Sequence, residues 1–129
     1  MNFQYVIMLF FVICLIACSS PSVENTVIPD KKNSSASIEA GKLLFYAKCA
    51  SCHKVNNDLS GPALKGVESR WPDKKKLYNF IRNSEAIIKE DKYARELWLK
   101  YNQTLMNAHP DLTDTQIRSI LDYINSVSE

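Results

Sequence analysis

The stretch Lys48-Cys49-Ala50-Ser51-Cys52-His53 sets two thiols three positions apart, with an imidazole directly behind the second. The pattern C-x-x-C-H is the attachment signature of a c-type haem. Two thiols at that spacing reach the vinyl groups along one edge of a porphyrin, and the next residue brings its imidazole under the iron. A C-x-x-C pair also serves dithiol redox chemistry, but such a site opens a helix after a β-strand. Here Cys49 ends an amphipathic helical stretch. The run therefore implies one covalently held, redox-active iron, with Cys49 and Cys52 as tethers and His53 as proximal ligand.

On the N-terminal side, Ser37–Cys49 reads as a first helix. Ser37 is placed to cap it, and Glu39 puts negative charge in the first turn, where backbone N–H groups lack partners. Ile38, Leu44 and Phe45 supply its bulk. Gly41 in the interior costs about 1 kcal/mol against Ala, and close approach of another helix is the reason expected for it. Ser19 to Ser37 is rich in Ser, Asn, Pro and Lys, has little to bury, and reads as a flexible tether. The segment Val6–Ala17 is nearly all apolar, too short to span a bilayer comfortably and suited to a signal-peptide core.

The residues Leu15-Ile16-Ala17-Cys18 resemble the lipobox of bacterial lipoproteins. That resemblance implies cleavage before Cys18, a diacylglycerol on its thiol and an acyl group on its new amine. Several acyl chains give stable membrane attachment. The organisation expected is a signal peptide over 1–17, a lipid-anchored tether over 18–36 and one domain over 37–129. Cys14 leaves with the signal and Cys18 takes lipid, so no disulfide is expected. The formal net charge of +2, with both signs mixed, gives no case for a nucleic-acid partner.

Downstream, Gly61–Pro62 follows a polar loop. By spacing alone the pair is a turn, although the proline keeps a carbonyl that could accept the Nδ1–H of His53 and orient the ring. Pro72 and Asp73 introduce a helix over Lys74–Asn83 with Leu77, Phe80 and Ile81 on one face. Glu85–Lys89 reads as a short helical turn, and Tyr93–Tyr101 carries Leu97, Trp98 and Tyr101 at helical intervals. Thr113 and Gln116 form a capping box before a last helix over Asp114–Val127. Its buried face is Ile117, Ile120, Leu121 and Ile124, with Tyr123 at the edge. No stretch alternates as a strand does. The fold class is all-α, three to five helices, with a thin core to which a buried porphyrin adds apolar surface.

A second axial ligand is found by elimination. Met1 and Met8 fall in the signal segment, which leaves Met106 as the one thioether of the mature chain. It sits in the loop Thr104–Asp111, ahead of the last helix. The rival is His109, the only other histidine; two histidine ligands would lower the potential that a methionine raises. Met106 is preferred, and His109 beside Pro110 is then expected to be an exposed loop residue.

Over Ile38–Val127 the chain resembles the class I, mitochondrial-type monohaem cytochromes c of bacteria. The resemblance rests on Cys49–His53, on Gly61-Pro62-Ala63-Leu64, on a distal Met106, and on Gly41 with Phe45 facing a terminal helix that bears Tyr123. It implies a cytochrome c fold around one covalent haem c. It also implies a bond from His53 to the Pro62 carbonyl, and Tyr123 packed across Gly41 and Phe45. Arg70 and Trp71 become the candidates to hold a haem propionate. The chain departs from many members in having Asn107 after the methionine, with Pro110 three positions later.

The function implied is one-electron transfer between protein redox partners in a respiratory or related chain, without substrate turnover. The setting is the periplasm-facing bacterial envelope, and oligomerisation is not predicted. Lys48, Lys54 and Lys65 could ring the exposed edge and favour acidic partners. The competing classes are a fixed subunit of a larger membrane redox complex, which an exposed apolar Tyr93–Tyr101 surface would favour, and a haem peroxidase or gas-binding protein, which needs an open distal position.

Overall fold

The computed structural model describes residues 31–128, so the signal segment and the lipidation candidate Cys18 lie outside the described residues. Among the described residues there are six helices and no strands. In chain order they are α1 (Lys31–Lys48), α2 (Val67–Arg70), α3 (Lys74–Arg82), α4 (Ser84–Glu90), α5 (Lys92–Lys100) and α6 (Asp114–Ser126). The all-helical class agrees with the sequence reading, and the count exceeds the expected three to five by the short α2. Four residues are too few to show a helical period, which is why α2 left no signal.

The architecture is organised by the crossing of α1 and α6. A Cβ added at Gly41 would collide with the Ser119 carbonyl group and lie 2.9 Å from the Ile120 nitrogen. The two backbones therefore touch where a side chain would stand, and the glycine anticipated as a close-approach site is one. Around this crossing Phe45, Ile117, Ile120, Leu121 and Ile124 are buried. The Tyr123 ring lies 5.4 Å from that of Phe45 and 6.3 Å from that of Tyr46. The aromatic of the last helix thus packs across Phe45 as the resemblance implied.

One expectation for α1 is corrected. The helix begins at Lys31, so Ser37 lies inside it and is not its cap, and Glu39 is not in its first turn. Part of the stretch assigned to the tether is helical. The Ser37 hydroxyl is 2.9 Å from that of Ser119 across the crossing. A partner 82 positions away along the chain outweighs the local preference of serine for a helix end.

Helices α3 to α6 begin where their side-chain caps place them, whereas α2 starts after Gly66 without one. Asp73 accepts from the Lys75 and Lys76 amides, Asn83 from Ala86 and Asp91 from Ala94. Thr113 and Gln116 close the reciprocal capping box of α6. Each such cap stabilises its helix by about 1 kcal/mol. The α3–α4–α5 run folds back on itself in sequence order and contributes Leu77, Ile88 and Ala94 to the core. On α5, Tyr93, Leu97 and Trp98 are half-buried, and Leu99, about half accessible at 54%, is the one large apolar side chain that is exposed. The broad apolar face that a fixed-subunit role would favour is not presented there. No helix among the described residues is long and apolar enough to cross a membrane.

Candidate haem site

Immediately after α1 the chain turns tightly: the Cys49 amide donates to the Phe45 carbonyl, and both the Cys52 and His53 amides donate to the Cys49 carbonyl at 3.1 and 3.0 Å. That turn fixes the two sulfurs and the imidazole relative to one another. The returning loop is laced to it by Gly61 N–H to Cys52 C=O, Leu64 N–H to Lys54 C=O and Lys65 N–H to Val55 C=O.

His53 is buried and half-enclosed by this loop. Its Nδ1 donates to the Pro62 carbonyl at 2.8 Å. A carbonyl can only accept, so Nδ1 carries the proton and Nε2 keeps its lone pair for a metal. A Cβ added at Gly61 would strike the His53 ring, falling 2.9 Å from Nδ1 and 3.0 Å from Nε2. The glycine thus makes the cradle in which the imidazole lies, and the proline beside it supplies the acceptor. A pair that reads by spacing as a turn is a ligand-orienting device.

These groups open onto one large cleft of about 1330 Å³, its solvent mouth included. Cys49, Cys52, His53 and Pro62 form one wall. Apolar side chains of α3 to α6, among them Leu77, Phe80, Leu97 and Ile120, form its depth, and Leu105, Met106 and His109 line it from the loop before α6. Arg70 and Trp71 line it as well. All seven cofactor-binding residues expected from the sequence therefore converge on one cavity.

Their settings differ. The Cys49 thiol is pushed up to about 11 by burial, against a smaller pull from Lys48. The exposed Cys52 is drawn below the ordinary thiol range by the hydroxyls of Ser60 and Ser51. Trp71 is buried, its ring 5.0 Å from Phe80 and 5.2 Å from Tyr93. The Arg70 guanidinium donates to the Lys65 and Ala63 carbonyls at 2.6 and 2.7 Å, bracing the loop that carries Pro62. Lys48 is paired with Asp111 at 2.9 Å, whereas Lys54 and Lys65 are exposed and make no ion pair with a described carboxylate.

The loop bearing Met106 is held from several sides. Asn102 and Gln103 both take positive φ, 55° and 58°, which turns the chain sharply out of α5. Gln103 is secured there by its amide to the Trp98 carbonyl at 2.8 Å, and by the Trp98 indole N–H to its own carbonyl at 2.7 Å. The buried Ser84 hydroxyl donates to the Met106 carbonyl at 2.9 Å, and Arg82 reaches the Leu112 carbonyl at 2.8 Å and the Asp114 carboxylate. His109 is not the exposed residue expected: it is half-buried, and burial, then Lys48, holds its imidazole below the usual histidine range. Its enclosure comes from the fold of the loop, which sequence spacing does not show.

The residues fit a porphyrin. The cleft is apolar in depth, and among the described residues no group of three or more His, Cys, Asp and Glu could hold a bare metal ion. A single cradled imidazole beside two thiols suits an iron whose remaining donors would come mainly from the macrocycle. The class so defined is a small helical domain that carries one covalently attached haem.

The cytochrome c family profile matches residues 38–128, and the chain belongs to that family. It is similar to the solved cytochrome c from Rhodothermus marinus, at 29% identity over 70% of this chain and 75% of that one, with a TM-score of 0.61. An engineered form of that cytochrome bound to a carbene intermediate matches at 29% identity and a TM-score of 0.57 over 70% and 75% of the two chains. A further structure of the engineered form matches at 28% identity and 0.58 over 70% and 76%. No curated protein matches the sequence significantly. The chain is a class I monohaem cytochrome c, a haem-based electron carrier whose haem c is covalent.

Proposed function

We propose that this cytochrome c is a lipid-anchored one-electron shuttle of the bacterial cell envelope, facing the periplasm, and that it turns over no substrate of its own. The bound haem supplies an iron that passes between ferrous and ferric. Cys49 and Cys52 would hold it through thioethers, His53 and Met106 would supply the protein's ligands to its iron, and Arg70 and Trp71 line the cleft where a propionate would be met.

The observation that carries the reading is the His53 Nδ1–Pro62 carbonyl bond. It fixes the tautomer and the ring plane, so the imidazole needs no rearrangement when the charge at the metal changes. The hydrogen bonds to the Met106 loop from Ser84 and around Gln103 act likewise on the other side. Exposed Lys54 and Lys65 near the Cys52 side of the cleft favour acidic redox partners by steering. The apolar run Val6–Ala17 followed by Cys18 supports the anchor.

Optical spectra of the membrane-bound protein, oxidised, reduced and under carbon monoxide, test this. A low-spin ferric spectrum with the weak sulfur-to-iron band at the red end, and slow carbon monoxide binding, are expected. Rapid binding by the unaltered protein would instead point to an open distal site and a gas-binding or peroxidase role. Mass spectrometry of the mature amino terminus decides the anchor: acylated Cys18 supports it, and an unacylated start elsewhere removes it.

A second reading of the distal ligand is favoured by one observation. His109 lines the same cleft, and its burial there favours the neutral form that can bind a metal. Met106→Ala should abolish the sulfur band while His109→Ala leaves it untouched. The reverse pattern would make the protein a bis-histidine cytochrome.

A further inference from the structure

Asp58 lies on the loop between His53 and Gly61, exposed to solvent and outside every expected site. Its Oδ2 accepts the Tyr101 hydroxyl at 2.6 Å, from 43 residues away, and its Oδ1 accepts the Ala63 N–H at 2.8 Å. Ala63 N–H and Pro62 C=O are the two ends of one peptide plane. That carbonyl is the acceptor for His53 Nδ1–H. An unbroken line of hydrogen bonds therefore runs from Tyr101 through the Asp58 carboxylate and a single peptide to the imidazole.

We propose that Asp58 is a positioning residue that tunes the reduction potential by acting on His53 through the Pro62–Ala63 peptide, with Tyr101 moderating its strength. The inference rests on the reading of His53 as an iron ligand. An amide that donates its N–H to an anion gains electron density at its carbonyl oxygen, since hydrogen bonds in a chain polarise one another. The Pro62 oxygen becomes a stronger acceptor and draws the Nδ1 proton further from the ring. The imidazole is then a more electron-rich ligand and favours the oxidised state. Tyr101 takes part of the carboxylate's charge by donating to it and so weakens the pull on Ala63. The Asp58 carboxyl is held below the ordinary range by the Tyr101 bond first and the Ala63 bond second, as an anion shared by these two donors should be.

The test uses the holoprotein in three forms, unaltered, Asp58→Asn and Tyr101→Phe. Two quantities are read: the midpoint potential at low and high salt, and the proton shift of His53 Nδ1–H in the diamagnetic reduced form. Asn keeps a neutral oxygen for Ala63, an acceptor roughly half as strong as a carboxylate. Asp58→Asn should move the one-electron equilibrium about threefold to tenfold toward the reduced form, where tenfold is about 59 mV. The shift should survive at about 1 M salt, where screening acts within about 3 Å, and the Nδ1–H resonance should move upfield as its bond weakens. Tyr101→Phe keeps the charge and the ring but frees the carboxylate, so the potential should move the opposite way.

A potential change that vanishes at high salt with the resonance unmoved would overturn the proposal and leave Asp58 a plain surface charge. Movement of both variants in the same direction would overturn it too, reducing the contact to a loop clasp. Failure of the ligand reading is seen separately in the unaltered protein. His53 ring protons without the large upfield displacement of an axial ligand would remove that reading, whatever the variants do.

Discussion

Gly61→Ala is the sharpest probe of the haem site, because one methyl group addresses one bond. The added Cβ would lie 2.9 Å from His53 Nδ1 and 3.0 Å from Nε2, where ordinary contact begins at 3.4 Å. The ring must retreat by about 0.5 Å at Nδ1, and further at the carbon between the nitrogens, to restore normal separation. The bond to Pro62 starts at 2.8 Å, so that retreat takes it to the edge of hydrogen-bonding range. Overpacking at a buried site costs about 1–3 kcal/mol and the weakened bond about 1 kcal/mol more, together a large part of a domain stability of about 5–15 kcal/mol. The same 1 kcal/mol, if it falls chiefly on the oxidised state, raises the potential by on the order of 40 mV. Denaturant unfolding of the holoprotein and a potentiometric titration measure the two effects. An alanine variant with the parent's denaturation midpoint and a potential within about 10 mV of it would refute the reasoning.

Gly41→Ala should destabilise the protein by about 2 kcal/mol or more in the same unfolding assay. The clash is with backbone of α6, which cannot swing aside, and it outweighs about 1 kcal/mol gained in helix propensity. Ser84→Ala removes the donor to the Met106 carbonyl; a loss of about 1 kcal/mol and faster carbon monoxide binding in stopped flow are expected, the second because the distal loop is less restrained. Asp91 is held below the ordinary carboxylate range by the Ala94 amide first and by Lys76 next. Its stabilisation is present above the unfolded pKa and is lost as pH falls through the depressed folded value. Asp91→Asn should therefore flatten the loss of stability between about pH 5 and about pH 2, measured as urea midpoints across that window.

What could be read from the sequence was chemistry confined to a few neighbouring residues. Cys49, Cys52 and His53 announce a haem because their spacing matches the group they hold. Thr113 with Gln116 announces a helix start because both partners lie within one turn. Gly41 could be suspected because a glycine inside a helix needs a reason. The readings that changed depended on partners far along the chain. Ser37 carries the local signature of a cap, yet its hydroxyl meets Ser119 across the helix crossing. His109 reads as a loop residue, yet the loop's closure buries it partway. Asp58 and Tyr101 are unremarkable separately and gain a role only when the fold brings them to 2.6 Å.

The crossing at Gly41 also sets an order of events. Residues 41 and 119 meet there, so nearly the whole domain must exist before its tightest contact can form. Closing so long a loop carries its entropic cost before any packing compensates it. A growing chain ends for a time at α5, with α1 lacking the partner that it crosses at Gly41. The two thiols precede the last helix by more than sixty positions. The thiols therefore enter the chain well before the helix whose Ile120, Leu121 and Ile124 complete the lining of the cleft.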